Sequence, residues 1–271
     1  NDIQSLEDKI NYHENKKDEP DIFAIIIEPF SASSLLECSE NFLRRLREIC
    51  VKKKIILIFD EIYTGWGKTG EYFYFMKYND LVPDILTMSK SFGGGKSSIS
   101  CFTTTKKIFE KAYGNIQDST IHSTTYNAFG EESVTALEAV SIAVEDKYPE
   151  RAKQIGKIIN QKLTYLKNKY PKELKEVRGQ GCLQGIIFDS GPNLLKKLIS
   201  VIPSDITKDE RFINKLITSS VISNLYTEFN ILASLGQNKD ICLWISPPLI
   251  VTEDEVNYFF DCLDKTLNHG F

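Results

Sequence analysis

Three short apolar runs, each broken off by charged or polar residues, constrain this chain more than any other feature. Ile22-Phe23-Ala24-Ile25-Ile26-Ile27 lies between Asp21 and Glu28-Pro29. Ile55-Ile56-Leu57-Ile58-Phe59 ends on Asp60-Glu61. A third run after Pro83, Ile85-Leu86-Thr87-Met88, ends on Ser89-Lys90 and leads into Ser91-Phe92-Gly93-Gly94-Gly95. Runs this short, without polar alternation, read as strands covered on both faces, as in a parallel sheet. Between the first two runs, apolar residues at 42, 43, 46, 49 and 50 follow a helical period, with Ser39 as N-cap. Strand, helix, strand with long connections predicts a parallel α/β sheet, whose ligands gather at the carboxyl ends of its strands.

Asp60 and Lys90 stand at two such ends. A carboxylate and an amine at the tips of buried strands are costly unless chemistry uses them. They become useful where the lysine forms a Schiff base and the acid holds a protonated ring nitrogen. A lysine after a strand is otherwise as often a solvated side chain. Lys96 is the rival amine, because Gly93-Gly94-Gly95-Lys96-Ser97 imitates a phosphate loop. A Walker motif needs glycine five positions before Gly95, where this chain has Lys90.

The rest of the chain continues the mixed pattern. Residues 11–20 are polar and read as an exposed connector. Strands are expected at 99–103, around the glycines of 177–189, at 228–233 and at 241–245. Helices are expected at 105–113, 131–145, 147–170, 209–223 and 252–267, the last with Thr252 as N-cap and Glu255 at capping-box spacing. Strict alternation is lost after residue 148, so two domains are expected, 1–148 and 149–271.

Bulk composition excludes several classes of protein. The net charge is −4 over 271 residues, and Lys52-Lys53-Lys54 reads as a solvated helix end. Nucleic acid and anionic membranes are therefore poor partners. The six cysteines contain no Cys-x-x-Cys pair, and with three histidines no zinc pattern can be drawn, so no metal site is expected. Reduced thiols point to a cytoplasmic protein. No apolar run reaches membrane-spanning length.

The motifs carry a specific resemblance. Asp60-Glu61-Ile62-Tyr63-Thr64-Gly65-Trp66-Gly67-Lys68-Thr69-Gly70 resembles the signature of class III aminotransferases, pyridoxal-phosphate enzymes of fold type I. The segment Pro83 to Gly95 resembles their Schiff-base segment. His122-Ser123-Thr124-Thr125-Tyr126 resembles their cofactor-phosphate segment, Val177-Arg178-Gly179-Gln180-Gly181 the entry to their small domain, and Ile245-Ser246-Pro247-Pro248-Leu249 a late small-domain strand. The resemblance implies a fold type I large domain, lacking its N-terminal part, followed by a small α+β domain. No segment matches the family's N-terminal phosphate loop or ring-stacking aromatic, so the chain looks like the C-terminal portion of such an enzyme.

The same resemblance implies roles. Lys90 would form the Schiff base with pyridoxal 5'-phosphate and shuttle a proton, and Asp60 would hold the pyridine nitrogen. Ile62 would pack on a ring face. Tyr63, where many relatives carry glutamine, would approach the ring hydroxyl. Thr125 would reach the cofactor phosphate of a neighbouring subunit, which implies a homodimer; Ser123 and Thr124 are the alternatives, and His122 reads as a loop or core histidine. Glu61 reads as structural. The implied activity is amino-group transfer between a primary amine or amino acid and a keto acid or aldehyde. A racemase or aminomutase of the same fold, and a catalytically impaired pseudo-subunit, are the alternatives.

One departure bears on substrate. The position three residues before Pro247-Pro248, where amino-acid-handling relatives often carry arginine, is Trp244. The arginine's usual glutamate partner falls at Ser33. No arginine stands near Ala233 or Ser234, or anywhere after Arg211. A bidentate grip on a carboxylate is an arginine property. The expected substrate is therefore an amine or aldehyde without a carboxylate there, with Trp244 and Tyr63 as apolar walls.

Overall fold

A computed structural model describes residues 1–14, 22–127, 129–189 and 210–269. The chain divides into two compact units. The first comprises Asn1–Phe30, Glu37–Gly67 and Glu71–Lys147; the second comprises Ser31–Leu36, Lys68–Gly70 and Tyr148–Phe271.

In the first unit, α1 (Ile3–Glu14) precedes β1 (Ala24–Ile27); the two-residue strands β2 (Phe30–Ser31) and β3 (Leu36–Glu37), each divided between the two units, lead to α2 (Glu40–Lys53) of the first. Strands β4 (Ile56–Asp60), β5 (Ile85–Met88) and β6 (Cys101–Thr104) follow, then α3 (Lys106–Tyr113) and α4 (Gly130–Glu145). The main sheet has the order β1-β4-β5-β6. β4 runs parallel to both β1 and β5, and β6 closes the sheet antiparallel to β5. Leu43, Leu46, Ile49 and Cys50 of α2 pack with Leu57 and Phe59 of β4 and Leu86 and Met88 of β5.

The sheet's register has a polar pin. Arg47 of α2 grips Asp84 in bidentate fashion, Nη1 to Oδ2 at 2.6 Å and Nη2 to Oδ1 at 3.0 Å. Asp84 Oδ2 also accepts the Leu57 N–H at 2.8 Å, and the Asp84 carbonyl accepts the Thr104 hydroxyl. One carboxylate just before β5 thus ties α2 and β4 together. Burial alone would raise its pKa, but Arg47 and the Leu57 amide hold it below its usual value.

In the second unit, α5 (Tyr148–Lys169) leads into β7 (Leu174–Gln180) and β8 (Leu183–Phe188); α6 (Glu210–Phe229), β9 (Ser234–Gln237), β10 (Ile241–Ile245) and α7 (Glu253–His269) follow. The sheet order is β7-β8-β10-β9, with antiparallel pairing throughout. Every residue of β8 is buried. Ile155, Ile159 and Leu163 of α5, Ile217 and Leu225 of α6, and Phe260 and Leu263 of α7 cover it in one core. Thr252 and Glu255 form the reciprocal capping box at the start of α7.

Several expectations are corrected. No strand forms at 228–233. The α6 stripe Ile213, Ile217, Val221, Leu225 continues to Phe229, and Asn230 at φ 56° ends it, with Ile231 N–H bonded to the Leu225 carbonyl. The Asn230 N–H also bonds the Tyr226 carbonyl at 3.0 Å, so this is an αL closure, and the strand starts only at Ser234. Residues 11–14 belong to α1, and the rest of the expected connector lies outside the described residues, as does residue 209. β1 is an edge strand with Ile26 61% exposed, because among the described residues it pairs with β4 alone. On α4 the small residues Ala136 and Ala143 are buried while Val134 and Leu137 are exposed. Gly94 explains that face: a Cβ there would come within 2.8 Å of the Ala139 Cβ, so only small side chains fit.

Candidate active site

The carboxyl ends of β4 and β5 hold the two residues singled out by sequence. Asp60 ends β4, and the parallel register sets it opposite Thr87 of β5. Its Oδ1 accepts the Ile62 N–H at 3.0 Å and the Thr87 hydroxyl at 3.2 Å. Its Oδ2 has no partner among the described residues. Two donors on one oxygen fix the plane of the carboxylate and leave the second oxygen to accept from a cation or a protonated ring. Sequence reasoning missed Thr87; strand register is a tertiary property and no local motif announces it.

Lys90 follows β5 by two residues and opens a short 3-10 turn, Lys90–Gly93. Its backbone has φ 49°, in the left-handed region. For a residue with a Cβ this costs about 1–2 kcal/mol, a strain that clusters at functional sites. The side chain is exposed rather than buried, and its Nζ lies 5.4 Å from the centroid of the Tyr63 ring. No carboxylate pairs with it among the described residues. Ile62 and Tyr63 are half-buried just beyond Asp60.

The structure therefore gathers Asp60, Ile62, Tyr63 and Lys90 at one edge of the first unit's sheet. Thr125 is not joined to them by any hydrogen bond among the described residues. It sits in the exposed turn 121–127, where Asn127 donates to the His122 carbonyl and Thr124 receives the Tyr126 N–H. His122 is exposed, its ring 5.5 Å from that of Phe102.

Glu61 is fully buried. Its Oε2 accepts from the Thr64 hydroxyl at 2.7 Å and the Tyr74 N–H at 2.6 Å, and its Oε1 accepts the Phe75 N–H at 2.8 Å. The carboxylate thereby closes the loop that leaves Asp60 and supplies the first N–H groups of the 3-10 helix Tyr74–Lys77 with acceptors. Burial pushes its pKa up, and the hydrogen bonds from Phe75, Thr64 and Tyr74 offset only part of that. Glu61 is structural, as its sequence position suggested.

In the second unit, Trp244 lies in β10 opposite Ser234. A Cβ at Gly236 would meet the Trp244 Nε1 at 2.6 Å, so the indole covers this glycine. Ser33 holds no acid; its hydroxyl accepts from the Asn238 amide at 3.0 Å.

The sheet, with Asp60 at the end of one parallel strand and Lys90 two residues past the end of its neighbour, is consistent with the large domain of fold type I enzymes. A family profile described as class-III aminotransferase matches residues 1–267, and the chain belongs to that family. The hypotaurine/taurine–pyruvate aminotransferase of Paracoccus denitrificans is 29% identical over 252 residues, 92% of this chain and 52% of its own. The acetylornithine aminotransferase of Agrobacterium fabrum is 30% identical over 164 residues, 60% of this chain and 39% of its own. Among solved structures, a transaminase from the marine bacterium Virgibacillus superposes with a TM-score of 0.81 at 22% identity, covering 98% of this chain and 56% of that one. The ornithine aminotransferase of Plasmodium yoelii gives 0.75 at 22% identity, covering 99% and 61%. The chain spans about half the length of the curated relatives it matches. Among the described residues, no helix is long and apolar enough to cross a membrane, and no cluster of His, Cys, Asp and Glu could hold a metal ion.

Proposed function

We propose that this chain carries the lysine end of a pyridoxal-phosphate site and transfers an amino group between a primary amine and a keto acid or aldehyde. The carrying observation is the open Oδ2 of Asp60 at the end of β4, whose parallel neighbour β5 leads two residues on into Lys90. The residues fit the cofactor. Oδ2 suits the proton of a pyridine nitrogen, Ile62 and Tyr63 offer an apolar and aromatic flank, and Lys90 offers an amine without a competing carboxylate. When bound, the cofactor supplies an aldehyde carbon that takes up amines and a ring that accepts the electron pair released at the substrate carbon.

Asp60 keeps the ring nitrogen protonated, which sustains that capacity. Lys90 Nζ would take the proton from the amine-bearing carbon and deliver it to the cofactor's former aldehyde carbon, and would run the same transfer in reverse when the keto acid or aldehyde is loaded. Tyr63 would stand toward the ring hydroxyl. Thr125 takes the phosphate of a neighbouring subunit, which makes the active form a homodimer of cytosolic subunits.

The substrate reading follows from the residues that stand where an arginine clamp would be. Trp244 and Ser33 cannot grip a carboxylate, and the Trp244 indole fills the space above Gly236. The amine donor in this proposal therefore has no carboxylate at that subsite. The relatives' names, taurine and acetylornithine among them, span acids and carboxylate-free amines and do not narrow the choice. Reconstitution with pyridoxal phosphate tests the proposal. A visible absorption band is expected in the wild type and not in Lys90→Ala. Bleaching of that band by simple amines, and not by glutamate in a single turnover, supports the substrate class; rapid bleaching by glutamate overturns it.

A further inference from the structure

The geometry points to Trp66 and Phe92 as a positioning pair that holds Lys90 in its strained conformation, an inference that rests on the function proposed above. Phe92 is two residues from Lys90 within the same 3-10 turn, and its N–H is bonded to the Ser89 carbonyl at 3.0 Å. Its ring lies face to face with the Trp66 indole, centroids 5.7 Å apart and planes 20° from parallel. Trp66 meets Phe73 edge-on at 5.2 Å; Phe73 stacks on Phe75 at 6.3 Å, and Phe75 leans on Phe59 at 5.9 Å. Phe59 directly precedes Asp60. A continuous aromatic row therefore runs from the acid's strand to the lysine's turn.

The row is anchored at its middle. The Glu61 carboxylate receives the N–H groups of Tyr74 and Phe75, so the loop carrying Phe73 and Phe75 cannot drift from the end of β4. Trp66 itself has φ 66°, and its indole N–H finds no acceptor among the described residues. The loop thus tolerates a strained backbone and an orphaned donor at the residue that stacks on Phe92. A side chain chosen for packing bulk alone needs neither. Stacking, by contrast, fixes the plane of Phe92, and with it the rotation of the turn that begins at Lys90. Neither aromatic touches a reacting atom in this account; both act through the lysine's backbone.

The test is capture of pyridoxal phosphate at Lys90, read by borohydride quench and peptide mapping over a range of pH, together with hydrogen exchange at the amides of 91–94. Trp66→Ala and Phe92→Ala are expected to slow capture at Lys90 by about tenfold or more at every pH, to speed exchange of the turn amides, and to leave capture at other lysines unchanged. Phe92→Tyr, which keeps the ring, restores both readouts, and Phe92→Leu, which keeps bulk without a ring, does not. Capture by Phe92→Leu at the wild-type rate overturns the inference, and that variant decides the case even if the alanine variants unfold. Failure of the wild type to capture the cofactor at Lys90 overturns the proposed function itself, and the two failures are thereby told apart.

Discussion

Asp60 and Thr87 are register partners on adjacent parallel strands, and the Thr87 hydroxyl donates to Asp60 Oδ1 at 3.2 Å. With the Ile62 N–H on the same oxygen, this bond leaves the other oxygen open among the described residues. Thr87→Val removes the donor at nearly constant volume. The expected result is a pyridoxal-phosphate affinity weaker by about three- to tenfold, the range of the net contribution of one ordinary hydrogen bond. Thr87→Ser should retain the wild-type value, and equilibrium dialysis reads both.

Glu61 makes a separate prediction about stability. Its two oxygens accept two backbone N–H groups that have no other place to turn. Glu61→Gln presents an amide N–H to one of them, which leaves a buried donor unpaired. A loss of about 2 kcal/mol is expected, measured as a shift in the urea midpoint with an unchanged slope.

The reach of sequence reasoning differs along the chain. Ile22–Ile27 and Ile55–Phe59 were legible as parallel strands because their apolar runs lack alternation, and Asp60 and Lys90 were legible because polar ends on such runs demand a reason. Ser39 and the Thr252–Glu255 box were read from local chemistry, and local chemistry is what fixes them. Where the outcome depended on distant packing, the reading failed. Residues 228–233 resemble a strand, yet α6 extends through Phe229 because its buried stripe continues, and Asn230 is what stops it. The burial of α4 follows the small side chains that admit Gly94, a contact no period reveals. The Asp60–Thr87 bond and the Trp66–Phe92 stack were likewise invisible, since both depend on register and loop closure.

The Arg47–Asp84 pair sets a pH dependence. The folded-state pKa of Asp84 lies below its ordinary 3.8. Its contribution is therefore complete above the unfolded value and disappears as pH falls through the folded one. Acid titration of stability should show a loss of about 1–3 kcal/mol below roughly pH 4, and Asp84→Asn should remove that acid-dependent component while lowering stability at neutral pH. Circular dichroism at a series of pH values follows it.

Gly181, at the β7–β8 turn, has φ 58°, and a Cβ there would stand 2.6 Å from the Thr69 carbonyl carbon. Gly181→Ala combines a left-handed backbone with a clash against main chain that cannot step aside. A destabilisation of at least about 2 kcal/mol is expected, and thermal unfolding measures it. Gly95→Ala is the contrast: its Cβ meets nothing within 4 Å, so only the backbone strain at φ 75° remains.

The most direct measurement is the site of covalent capture. The chain is incubated with pyridoxal phosphate, reduced with borohydride, digested and mapped by mass spectrometry. The account predicts a stoichiometric pyridoxyl adduct on Lys90 that disappears in Asp60→Ala at limiting cofactor. An adduct confined to Lys96, or spread evenly over surface lysines with Lys90 unmodified, contradicts it.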